Sequence, residues 1–133
     1  MTRVYVDTSV LVRYFADDDP ARAFAAATLV DGDDTLIVST ASLIELVHVL
    51  RTEYRVANPE LANGLATFLA RENVELADAD RDGTIAALRW SARASARRIP
   101  DALIGAAAER ARCAWIATFD QEMTTRTVPV RSL

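Results

Sequence analysis

Short apolar runs alternate along this chain with longer stretches in which apolar residues recur every three or four positions. The first pattern fits buried β-strands and the second fits amphipathic helices. RVYV (3–6) predicts a strand ending at Asp7, and SVLVRYFA (9–16) a helix that DDDP (17–20) stops. Pro20 suits a first helical turn, so PARAFAAATLV (20–30) reads as a second helix, closed by the turn DGDD (31–34). TLIVS (35–39) is a second buried strand, and ASLIELVHVLRTEYR (41–55) is an amphipathic helix with Leu43, Leu46, Val47 and Leu50 on one face. Pro59 opens PELANGLATFLAREN (59–73) as a further helix, and Val74–Leu76 forms a short third strand. Residues 80–98 read as a long helix carrying several arginines, which Pro100 ends. DALIGAAAERARC (101–113) starts an alanine-rich helix, AWIAT (114–118) is a strand ending near Asp120, and TVPV (127–130) is a last strand. Strands alternating with helices predict an α/β fold of three layers, α/β/α, around a central twisted parallel sheet of four to five strands.

Composition narrows the class. At 133 residues, 51% hydrophobic and 26% charged, the chain reads as one globular domain over residues 1–133. Its single cysteine, Cys113, excludes a disulfide framework or a cysteine-based zinc site and suits a reducing cytoplasm, where the thiol is expected to be buried and inert. No leader segment is visible, and no apolar run approaches the roughly 20 residues that cross a bilayer. The net charge of −4 argues against holding nucleic acid by bulk charge alone. Apart from one histidine, every basic side chain is an arginine; the chain has no lysine.

The predicted topology gives four carboxylates a common place. In right-handed parallel α/β units, strand C-termini and helix N-termini share one edge of the sheet, outside which ligands bind. Asp7 follows the first strand, and Asp120 follows AWIAT after one phenylalanine. Glu45 lies in the first turns of the helix after the second strand, and Asp101 at the start of the helix leading into AWIAT. Taken singly, each has a bland reading. Asp7 and Asp120 can cap helical turns, Glu45 stands at capping-box spacing from Ser42, and Asp101 is a first-turn acid favoured by the helix dipole.

As a set they carry a larger cost. One like-charge pair at roughly 4 Å costs about 4 kcal/mol at an effective dielectric near 20. Several such pairs would rival a domain's whole stability of about 5–15 kcal/mol. The cluster must then bind a cation or keep some of its acids protonated. All-oxygen ligation suits Mg²⁺ or Mn²⁺ rather than zinc, and such ions in acidic pockets commonly serve phosphoryl substrates.

The order of these pieces resembles the PIN-domain ribonucleases, and especially the VapC-type toxins of bacterial toxin–antitoxin pairs. The likeness covers nearly the whole chain: a near-terminal strand into DTS, an acid early in the helix after strand two, PDALI before an alanine-rich helix, and a strand ending in T-x-D. It implies that Asp7, Glu45, Asp101 and Asp120 form an acidic Mg²⁺ or Mn²⁺ site. Ser9 would hydrogen-bond the acids, with Thr118 and Thr8 in support. It also implies that the first and AWIAT strands are neighbours, which would set Asp7 beside Asp120. The implied activity is hydrolysis of an RNA phosphodiester. The implied partners are the RNA substrate, a small antitoxin that places a basic side chain into the acidic pocket, and a second copy in a homodimer.

Other residues carry less. His48, one turn after Glu45, is more often packed or solvated than catalytic. Trp90 and Trp115 read as core or interface residues. Arg89, Arg93 and Arg97 recur every fourth residue as one helical stripe with Arg98 beside it, either a solvated face or an RNA or partner surface. Asp17–Asp19 and Asp31–Asp34 are acidic turns. Receiver domains and haloacid-dehalogenase-like phosphatases also place an aspartate after the first strand, but both require a lysine, which this chain lacks. Two alternatives stay open: a PIN fold that binds protein or RNA without cutting, and a stand-alone RNA-processing nuclease.

Overall fold

The computed structural model describes residues 2–16 and 18–133; Asp17, the first residue of one predicted acidic turn, lies outside them. The described elements run in chain order β1 (Arg3–Tyr5), α1 (Thr8–Phe15), α2 (Pro20–Val30), β2 (Thr35–Val38), α3 (Thr40–Thr52), α4 (Asn58–Leu69), β3 (Val74–Leu76), α5 (Arg81–Ala92), α6 (Ile99–Arg110), β4 (Ile116–Thr118) and β5 (Val130–Ser132). Each predicted strand and helix has its counterpart, so the fold is a mixed α/β one with parallel strands.

Local chemistry sets the helix starts. Asp7, Asp19 and Asp80 each accept a backbone N–H of the following first turn. Ser39 and Ser42 cap α3 reciprocally, so α3 begins at Thr40 and its capping-box partner is Ser42, not Glu45. Pro100 does not precede α6 but sits in its first turn, where its missing N–H costs nothing.

Helix α5 is shorter than the periodicity predicts. It stops at Ala92, because Ser91 Oγ donates to the Arg97 carbonyl at 2.7 Å and Arg97 Nη1 to the Trp90 carbonyl at 3.0 Å. These bonds fold residues 93–98 back on the helix end. Arg97 therefore leaves the expected stripe and lies 4.4 Å from the Trp90 ring centre. Arg89 donates to Asn63 Oδ1 at 2.8 Å and so ties α5 to α4. Arg93, the C-cap of α5, is exposed.

The core lies between the helices and β2, whose Leu36 and Val38 are wholly buried. Leu11, Leu43, Leu46, Leu65, Leu69, Leu88 and Ile99 bring all helices but α2 into it, and α2 adds Val30. Edge-to-face and tilted contacts among Tyr14, Phe15 and Phe68 seat α1 against α4.

The sheet departs from expectation. β1, β2 and β3 form one parallel sheet in the order β1-β2-β3, while β4 and β5 form a separate parallel pair. The expected single sheet of four to five strands is thus divided, and no ladder joins β1 to β4. The C-terminal pair is attached to α6 instead. Arg126 pairs with Glu109 at 3.6 Å, and Thr125 packs on Gly105. With so little cover, Trp115 is 38% and Phe119 82% exposed, so Trp115 is not a core residue. Cys113 is also exposed rather than buried.

Candidate functional site

The four sequence-predicted acids sit where strands end and helices begin. Asp7 ends the β1 connection and caps α1; its Oδ2 accepts the Ser9 N–H at 3.0 Å and the Ser9 hydroxyl at 2.6 Å. These two donors, the hydroxyl foremost, hold the Asp7 carboxyl below its ordinary pKa and keep it ionised. Thr8 is buried and its hydroxyl donates to the Ser42 carbonyl at 3.4 Å, which joins α1 to α3 rather than supporting an acid. Glu45 lies on the exposed face of α3 and has no capping duty.

Asp101 and Asp120 meet. Arg98, three residues before Asp101, donates from Nε to Asp101 Oδ2 at 3.1 Å and from Nη2 to Asp120 Oδ2 at 2.6 Å. The other carboxylate oxygen of Asp120 accepts the Glu122 N–H at 2.9 Å, and the Thr118 hydroxyl accepts the Asp120 N–H at 2.9 Å. The Glu122 N–H and then the Arg98 guanidinium lower the Asp120 pKa. The bond to Asp120 and the charge of Asp101 raise that of Arg98. Asp120 and Arg98 are therefore held in their charged forms, and an ion pair within the chain takes over part of the role that the acids alone assign to a bound cation.

Asp101 and Asp120 are brought together on Arg98, and among the described residues neither Asp7 nor Glu45 shares a hydrogen bond or ion pair with that group. Asp7 lies at the end of the three-stranded sheet, and Asp120 at the end of the separate pair, so the ladder that would set them side by side is not formed. Among the described residues, no group of three or more histidine, cysteine, aspartate or glutamate side chains is arranged to hold a metal ion. A divalent ion does not fit this arrangement, because Arg98 stands between the two acids that do converge.

Sequence reasoning missed Arg98 as part of the site. Its signal was available: an arginine three residues ahead of Asp101, across the turn that Pro100 opens, is at reach for an ion pair. The possible contacts Arg89 and Arg97 are engaged within the chain, as described above.

Comparison with known families gives one result: the family model for the PIN domain matches residues 4–127. No curated protein matches the chain.

Proposed function

Since the chain belongs to the PIN domain family, whose members are generally nucleases and typically use divalent metal ions, we propose that it is an endoribonuclease that hydrolyses RNA phosphodiester bonds at Asp7, Glu45, Asp101 and Asp120. The observation that carries this reading is the convergence of Asp101 and Asp120 on the single guanidinium of Arg98. Charged acids that are distant in sequence and gathered at element ends make a polar locus with no part in the core.

Apart from that pair, Ser9 fixes the Asp7 carboxylate by two hydrogen bonds and keeps it deprotonated, the form able to orient or deprotonate an attacking water. Glu45, free of a capping role and exposed, is available to the same chemistry. Arg98 neutralises the remaining pair. An Mg²⁺ or Mn²⁺ ion would need Arg98 to turn away from the acids first. The finer reading, a VapC-type toxin, rests on the resemblance carried by the order and spacing of DTS, Glu45, PDALI and T-x-D, and a neighbouring antitoxin and a homodimeric state are what that resemblance implies.

The test is cleavage of single-stranded RNA by purified protein with Mn²⁺, beside EDTA and Asp7→Asn controls. We expect metal-dependent cleavage that falls by on the order of 10²-fold or more in Asp7→Asn. Cleavage at an unchanged rate in the variant would remove the assignment. RNA binding without cleavage would favour the non-cutting PIN module.

A further inference from the structure

A second charged locus lies outside the four acids. A cavity of about 530 Å³ is lined by His48, Arg51 and Arg55, with Thr52, Asn58 and Ser95 completing its polar lining. No carboxylate lines it, although the whole chain carries a net charge of −4. Neither Arg51 nor Arg55 enters an ion pair among the described residues. Like charges gathered without a counter-charge repel, and a bound anion would relieve them.

Three features of the backbone build the cavity. His48 and Arg51 follow Glu45 at steps of three, so they extend one exposed side of α3 from the candidate site. Arg55 then takes φ 55°, a left-handed conformation rare for arginine, in the turn that the Val56 N–H closes on the Leu50 carbonyl at 3.0 Å. Such outliers persist where the surroundings hold them and cluster at functional sites. Next, α4 starts with Ala57 as a cap that offers no side-chain acceptor, so the positive end of its dipole, with the Asn58 N–H, adjoins the arginines, while Pro59 has no N–H to offer. Asn58, in that turn, has a buried Oδ1 without a donor. Ser95, also in the lining, is three residues before Arg98, as His48 is three residues after Glu45, so the lining adjoins candidate site residues along the chain.

We infer that this cavity is a phosphate-binding subsite for the RNA strand, taking a backbone phosphate other than the one hydrolysed. The inference rests on the ribonuclease reading and names how its substrate is held. Two guanidinium forks suit the oxygens of a backbone phosphate.

Binding without cutting separates this claim from the catalytic one. The probe is a fluorescein-labelled single-stranded oligoribonucleotide, read by anisotropy in EDTA against wild type and the Arg51→Gln/Arg55→Asn double variant. Asparagine tolerates the left-handed conformation, and circular dichroism would check the fold. We expect Kd to rise about tenfold near 0.1 M salt, and the slope of log K against log salt to become shallower by about 0.7, one phosphate contact. Wild-type affinity and slope in the double variant would overturn the subsite while leaving the nuclease reading intact. If the arginine dependence is found but Asp7→Asn still cuts, the catalytic reading fails and the subsite stands. Capture of an oligoglutamate peptide through the same arginines, with no RNA bound, would overturn the RNA assignment.

Discussion

Arg98 alters the electrostatic account of the acids. Clustered carboxylates were expected to need a bound cation or protonation, yet here a guanidinium of the same chain lies 2.6 Å from Asp120 and 3.1 Å from Asp101. Both Arg98 and Asp120 are more than a third exposed, so the pair is screened by water and is a weak lock. Replacing Arg98 with glutamine removes the internal competitor without shortening the side chain greatly. We predict Mn²⁺ binding, followed by electron paramagnetic resonance or calorimetry, to tighten about fivefold in Arg98→Gln, the scale of one exposed ion pair. Unchanged or weaker binding would show that Arg98 does not compete for the acids. Of this residue-level detail, the acids are legible from their places at element ends, and the Ser9 donor from the family resemblance. The Arg98–Asp120 bond spans 22 positions and depends on how α6 and β4 are placed.

Among the elements, α6 carries the C-terminal segment. A Cβ at Gly105 would stand 2.7 Å from Thr125 Cβ, closer than two carbons pack, so glycine permits the segment to rest on the helix there. Thr125 in turn donates to the Val128 carbonyl at 2.5 Å, shaping the approach to β5. Gly105→Ala should gain about 1 kcal/mol of helix propensity and lose about 1–3 kcal/mol to overpacking. We predict a Tm lower by a few degrees and faster proteolysis within residues 119–133. A raised Tm with unchanged proteolysis would show that the segment does not rest on Gly105. The helices themselves were legible from periodicity and caps. The early end of α5 was not, because it depends on the Ser91 and Arg97 bonds that fold the next turn back.

Across the whole molecule, the division of the strands leaves an edge. Val6 donates to the Ile37 carbonyl at 2.9 Å, so in this parallel ladder the Tyr5 N–H points away from β2, toward the side where no described strand pairs. Hydrogen exchange is predicted to be slow at Val6 and fast at Tyr5. Equal protection at both amides would mean that another strand, from β4 or from a partner, covers this edge in solution. Bulk charge is equally uninformative about the interior of the surface: a net of −4 conceals a cavity walled by His48, Arg51 and Arg55.

By itself, the sequence determined the order and type of the elements, most helix starts and the acids at element ends. Each of these follows from contacts within a few residues, through periodicity, capping and the fixed φ of proline. Only the tertiary structure decided that Asp101 and Asp120 share Arg98, that β4 and β5 stand apart from β1, and that three basic side chains wall one cavity. Those outcomes turn on distances between segments far apart in the chain, which no local pattern encodes.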